Sequence, residues 1–297
     1  MSGAHRPRRS VLYMPGSNAR ALEKAQTLAA DALVIDLEDA VAVEAKELAR
    51  EQACAAVRDR RFGKREVIVR VNSLDSPWGL DDVRAVSDAA PDAILVPKID
   101  DPQSLKRFEA LMNDHGAGPD VAVWAMMETA RAILNAQQIA ATAVEPGSRL
   151  TAWVVGTHDL AKDLKCAIKP GREALLTSLS LCVVAARAYG IAIIDSIYTG
   201  IKDRTGFMEE CEQGAAMGFD GKTLIHPSQI DPCNRIFAPS KNDIAWARKV
   251  IAAFELPENR NKGAIQLDGK MVERLHAEQA ERLVAIADTI AELAAAE

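Results

Sequence analysis

The stretch "AVWAMMETARAILN", Ala122 to Asn135, runs Val123, Trp124, Met126 and Met127 straight into the carboxylate of Glu128. Apolar residues in a run this short read as a buried strand. An ionised carboxylate closing such a run must be paired, hydrogen-bonded or bound to a metal, because uncompensated desolvation costs it several kcal/mol. The plainer alternative is a carboxylate at the start of the helix that opens near Thr129, where the helix dipole favours negative charge. What surrounds the strand decides between the two.

Similar runs recur on both sides of it. They are "SVLYMPG" from Ser10, "ALVIDLED" from Ala32, "EVIVRVN" from Glu66, "AILVPKI" from Ala93, "VAVWAMME" from Val121, "LTAWVVG" from Leu150, "IAIIDSIY" from Ile191 and "GKTLIHP" from Gly221. Between them lie segments such as "ARALEKAQTLAA" and "LLTSLSLCVVAARAYG", whose apolar residues fall at helical spacing. Repeated βα units imply a parallel sheet, and eight of them imply an α/β fold of the TIM (β/α)8 barrel type. A doubly wound open sheet is less compatible, since the turn after the first run, "MPGSNAR", lacks the glycine fingerprint of dinucleotide binding. The expected barrel spans residues 1–238. Residues 239–297 form a C-terminal helical or lid extension: a helix start at Pro239-Ser240, a polar linker, a short turn at Asp268-Gly269 and an amphipathic terminal helix.

Composition narrows the class of function. The 297 residues are 48% hydrophobic and 26% charged, as in a globular protein, and a net charge of −6 gives no basic face for nucleic acid. Five cysteines, none in a C-x-x-C pair, suggest reduced thiols rather than a disulfide framework or a zinc site. The basic start "MSGAHRPRRS" is not followed by a signal-peptide core, and no run reaches the roughly 18 apolar residues of a membrane span. A cytoplasmic protein is expected.

Chemistry in such a barrel sits at the C-terminal ends of the strands. Polar residues expected there are Asp36, Glu38 and Asp39 after the second run, Arg70 and Asn72 in the third, and Lys98 in the fourth. Glu128 closes the fifth, His158 and Asp159 follow the sixth, and Asp195 lies in the seventh. Several carboxylates around one mouth repel one another unless a cation neutralises them. Oxygen donors favour a hard ion, and a few carboxylates plus water suit magnesium, with manganese as a substitute. Glu128 and Asp159 are the candidate metal ligands. Arg70 and Lys98 are candidates for an anionic substrate, Arg70 being able to bind a carboxylate in bidentate fashion. Asp36, Glu38 and Asp39 serve as a second layer or cap the helix after the second strand. His158 reads as a loop residue, Asp195 as a possible hydrogen-bonded core acid, and His226 as a satisfied buried histidine.

The motifs "RSVLYMPGSNARALEKA", "DLEDAV", "VRVNSLDSPWG", "VPKID", "METARAILNAQQIA", "GTHDLAKDL", "FDGKTLIHPSQI" and "LDGKMVERLHAEQA" resemble, in order and spacing, the citrate lyase β-subunit-like branch of the aldolase/citrate lyase superfamily. Within it they are most similar to malyl-CoA/β-methylmalyl-CoA lyases and citramalyl-CoA lyases. The resemblance covers almost the whole chain. It implies a TIM barrel with a C-terminal lid and a magnesium ion on Glu128 and Asp159, with Arg70 binding substrate. It also implies contacts of Arg20 and Lys24 with coenzyme A, and Asp268 as an acid delivered into a neighbouring subunit of a trimer or hexamer. His158 departs from the family, which often has Asn or Glu there.

The implied reaction is a reversible retro-Claisen cleavage of a 3-hydroxyacyl-CoA to an acyl-CoA and an α-keto acid. Arg70 would stabilise the enolate and Asp268 protonate its carbon. Two alternatives use the same residues differently: a malyl-CoA thioesterase, and a carrier-dependent β subunit of a larger citrate lyase assembly.

Overall fold

The structure is a computed structural model that describes residues 6–294. Two compact units make up the chain, one from Arg8 to Phe237 and the other from Ala238 onward together with the described residues before Arg8.

The first unit contains β1 (Ser10–Pro15), β2 (Ala32–Asp36), β3 (Glu66–Arg70), β4 (Ala93–Val96), β5 (Ala122–Met127), β6 (Leu150–Val155), β7 (Ala192–Asp195) and β8 (Gly221–Leu224). All pair in parallel with their sequence neighbours, and β8 closes on β1 through Ser10–Lys222, Val11–Thr223 and Leu12–Leu224. Each strand lies within one of the eight runs. Around them stand α1 (Ala19–Ala25), α2 (Lys46–Asp59), α3 (Gly79–Ala89), α4 (Pro102–Asp114), α5 (Ala130–Leu134), α6 (Ala136–Ala141), α7 (Thr157–Leu164), α8 (Leu176–Ala188), α9 (Arg204–Met217) and α10 (Ile230–Ile236).

Strand side chains alternate between two cores, as the two-residue pleat requires. Val11, Val34, Ile68, Leu95, Trp124, Met126, Val154 and Ile194 fill the barrel interior. Leu12, Leu33, Ile35, Val69, Ile94, Val123, Trp153 and Ile193 face the helices. Continuing the inward set by two residues reaches Asp36, Arg70, Glu128 and Ser196. The site therefore lies on the same face of each strand as the inner core.

That parity corrects the placement of Asp195. It is fully buried and faces outward, where Arg172 Nη1 donates to Oδ1 at 2.6 Å and Lys222 Nζ to Oδ2 at 3.1 Å. Lys222 also donates to Glu210 Oε1 of α9 at 2.7 Å. Burial pushes the Asp195 carboxyl up, but the charges of Lys222 and Arg172, with hydrogen bonds from Arg172 and the Ser196 N–H, outweigh it and hold it below the ordinary value.

The second unit holds α11 (Lys241–Glu255), β9 (Ala264–Leu267), β10 (Lys270–Glu273) and α12 (Arg274–Ala294). Ser240 caps α11, its side chain accepting from the Asp243 N–H at 3.1 Å. Val250, Phe254, Ile265, Val272 and Ala277 form its own small core. β9 and β10 pair antiparallel, a hairpin that the sequence reading had reduced to a turn. Asp268 and Gly269 occupy that turn with φ of 50° and 77°. Two successive positive φ values are what a two-residue hairpin of this hand demands, and Asp-Gly is a favoured pair for it. Among the described residues no helix is long and apolar enough to cross a membrane.

Removing Asp195 would leave the buried Arg172 and Lys222 with Glu210 as their one shared carboxylate in this cluster, at 3.7 and 2.7 Å. Asp195→Ala is expected to lower the unfolding free energy by about 3–5 kcal/mol, measured by urea denaturation; a loss below about 1 kcal/mol, the level of a surface pair, would refute that role. Because the folded carboxyl lies below its unfolded value, its stabilisation is complete above about pH 4 and is lost as pH falls through the lower folded value.

Candidate active site

A cavity of about 290 Å³ opens at the C-terminal end of the barrel, lined by Tyr13, Asp36, Arg70, Met126, Gly156 and Asp159 among others. Glu128 directly follows β5 in the inward set and is 2% exposed. Its Oε1 accepts the backbone N–H of Lys98 at 2.8 Å. Its other oxygen is crowded by Gly156, where an added Cβ would lie 2.8 Å from Oε2 and 2.7 Å from the Glu128 Cβ. Glycine is needed there for close approach, a requirement hidden in the "GTHD" motif. Burial raises the Glu128 carboxyl to about 7; the Lys98 N–H opposes this and the negative charge of Asp159 adds to it.

Asp159 stands in the first turn of α7, half-buried, where the helix dipole also favours it. Its negative charge acts on Glu128, and two such carboxylates make a donor pair for a cation. Among the described residues no group of three or more His, Cys, Asp and Glu is placed to hold a metal. The pair nevertheless fits magnesium, which commonly takes one or two carboxylates and completes its octahedron with water and substrate oxygens.

Arg70 is held from two sides. Its Nε and Nη2 donate to the two oxygens of Asp36 at 2.7 and 2.6 Å, and its guanidinium lies 4.9 Å from the centroid of the Tyr13 ring. Nη1 faces Glu38 at 3.0 Å and Asp39 at 3.5 Å. Burial works against the Arg70 charge, but Tyr13, Asp36 and Glu38 outweigh it. Burial also lifts Glu38 to about 8; Arg70 opposes the rise, and Asp39, Glu128 and Asp36 reinforce it.

Asp36, which closes β2, and Glu38 and Asp39, which follow it, do not cap α2, whose first turn has no side-chain cap. Asp36 instead accepts the N–H groups of Glu38 and Ala40, each at 2.9 Å, and folds its own loop around Arg70. Lys46, absent from the sequence reading, braces that loop: its buried Nζ donates to Leu37 O, Glu38 O and Asn72 Oδ1 at 2.7–2.8 Å. Asn72 is thereby a bracket rather than a cavity residue.

Other expected positions fall differently. Lys98 offers Glu128 its backbone, with the backbone at φ 54° and the side chain exposed, not lining the cavity. Arg20 and Lys24 are exposed one helical turn apart on α1, which follows β1. His158 is exposed and lines the cavity. His226 is exposed rather than buried, its Nδ1 accepting the Ser228 N–H at 3.2 Å as a cap. Asp268 belongs to the second unit, where Lys249 Nζ donates to it at 3.0 Å. Tyr13, Ser196 and Thr223 also line the cavity; sequence reasoning passed over them because isolated hydroxyls are common in any strand.

The sequence profile of the HpcH/HpaI aldolase/citrate lyase family matches residues 9–227. The chain is 48% identical to a (3S)-malyl-CoA thioesterase of Cereibacter sphaeroides over 96% of each chain. It is 32% identical to the mitochondrial citramalyl-CoA lyase of Homo sapiens, over 96% of this chain and 87% of that one. A solved structure of the protein CitE from Mycobacterium tuberculosis, in complex with magnesium, acetoacetate and coenzyme A, superposes with a TM-score of 0.74 at 28% identity, covering 96% of this chain and 99% of that one.

A methyl group at Gly156 has no room unless Glu128 moves. Gly156→Ala is expected to weaken magnesium binding about 10–100-fold, the range found when a ligand's support is disturbed. Isothermal titration with the metal alone measures it, and unchanged affinity would exclude Glu128 as a ligand.

Proposed function

This chain belongs to the HpcH/HpaI aldolase/citrate lyase family, and from that we propose that it is a magnesium-dependent enzyme that hydrolyses malyl-CoA-type 3-hydroxyacyl-CoA thioesters. The observation that carries hydrolysis is the full-length similarity to (3S)-malyl-CoA thioesterases. The cavity suits the short hydroxy acid alone. The CoA portion extends out of the mouth, where Arg20 and Lys24 on α1 would meet its phosphates.

Glu128 and Asp159 would hold magnesium or manganese, which supplies Lewis-acid polarisation and a template for the acid's oxygens. The remaining work falls to the chain's own groups. Asp36 fixes two nitrogens of Arg70, leaving Nη1 to turn from Glu38 to a substrate oxygen. Near neutral pH Glu38 is mostly protonated, so it competes weakly for that nitrogen. In the overall reaction water adds to the thioester carbonyl, the C–S bond breaks and CoA leaves as the thiol.

A second reading, C–C cleavage of the same esters, is favoured by the similarity to citramalyl-CoA lyase. In it Arg70 stabilises the enolate and Asp268 protonates its carbon, the second unit acting as a lid on a neighbouring subunit of a trimer or hexamer. A monomeric mass in solution would remove that trans role.

Purified protein with magnesium, offered malyl-CoA, β-methylmalyl-CoA and citramalyl-CoA, is expected to release free thiol without keto acid. Keto acid without thiol would establish the lyase instead, and silence in both channels would point to a carrier-dependent subunit. Hydrolysis moves no proton at carbon, so Asp268→Asn should spare thiol release and slow only keto acid release.

Glu38 is neutral below about pH 8 and anionic above it. KM is therefore expected to rise as pH passes about 8, when ionised Glu38 competes with the substrate for Arg70, and Glu38→Gln should flatten that rise. The same pH dependence of KM in both proteins would exclude the competition.

A further inference from the structure

Ser196 follows β7 in the inward set, two residues beyond Ile194, and lines the cavity. It is 2% exposed, and its Oγ has no hydrogen-bond partner among the described residues. Thr223, on the neighbouring strand, presents the other hydroxyl of this wall, but its Oγ1 donates to Asp195 O at 2.8 Å and is committed. Val154, Ile197 and Ile225 supply the apolar remainder. A buried hydroxyl without a partner is a net cost to the fold that a correctly placed oxygen would relieve.

The position of Ser196 is also firmly set. Its backbone N–H donates to Asp195 Oδ1 at 2.8 Å, and the same carboxylate is clamped by Arg172 and Lys222 outside the barrel. The outward ion cluster thus fixes the inward hydroxyl through one peptide unit. Preorganised polar groups in an otherwise apolar wall give specificity because a ligand lacking the complementary atom leaves them unpaired.

We propose that Ser196 is a specificity-determining residue: its hydroxyl bonds an oxygen of a bound hydroxy or oxo acid and selects acids with an oxygen at that position over those without one. This rests on the reading of the cavity as the acid subsite but not on the fate of the thioester.

The test is titration of malate and succinate, which differ by one hydroxyl, into magnesium-loaded protein. Ser196→Ala is expected to weaken malate binding roughly tenfold and leave succinate within about twofold, in line with the net worth of one hydrogen bond. Ser196→Thr, which keeps the hydroxyl, should bind malate nearly as the parent does. Melting curves confirm that each variant is folded. An equal change for both acids, no change for either, or tighter malate binding by the alanine than by the threonine variant would overturn the proposal. Failure of the parent protein to bind either acid would sink the acid-subsite reading and this inference together. A lyase outcome in the thiol assay beside a malate-specific loss here would overturn hydrolysis alone and leave Ser196 in place.

Discussion

The pleat of a closed parallel barrel governs this molecule. Every second side chain of a strand must point into an interior too narrow for water, and that interior is filled here by Val34, Ile68, Trp124, Met126, Val154 and Ile194. One step further along the same faces the barrel opens, and Asp36, Arg70, Glu128 and Ser196 each follow an inner-core residue by two positions. A carboxylate in that position remains against apolar neighbours, which is why Glu128 sits near neutrality instead of titrating like an ordinary glutamate. The same desolvation makes it a strong place for a cation, since a divalent ion offsets both its burial and the repulsion from Asp159.

Around this constraint the charged groups fall into separate systems. Inside the mouth, Arg70 is surrounded by Asp36, Glu38 and Asp39 and stacked on Tyr13, so it is positioned before any ligand arrives. Outside the sheet, Arg172, Asp195, Lys222 and Glu210 form a buried cluster with no face on the cavity. The two systems differ in purpose because the pleat separates neighbouring residues: Asp195 and Ser196 are adjacent in sequence and on opposite sides of the wall. An anchored Asp195 gives rigidity, and Ser196 inherits it.

Hydrolysis and C–C cleavage ask for the same first steps, a bound acid and a polarised ester. They part at the thioester carbonyl and at the carbon that would need a proton. In the proposed function the barrel supplies the residues for those shared steps, and Asp268, the proposed carbon acid, stands on a separate unit. In the isolated chain Asp268 is a hairpin-turn residue whose exposed ion pair with Lys249 is worth little, so its position here is fully accounted for by the turn.

The sequence by itself determined the barrel, because eight apolar runs divided by helical segments permit few other parallel arrangements, and it determined the residue types at the mouth. It also marked Glu128, since a lone carboxylate ending an apolar run requires compensation wherever the chain folds. Only the tertiary structure decided which polar residues share a cavity. Asp195 turned outward, Lys98 contributed a backbone N–H, His226 became an exposed cap, and Lys46 and Asn72 joined to brace the acidic loop. Pairings such as Lys46 with Leu37 O, or Gly156 against Glu128, join separate segments through space, and local composition carries no trace of them. The face on which a residue lands depends on strand register, and a shift of one position exchanges every inward and outward side chain.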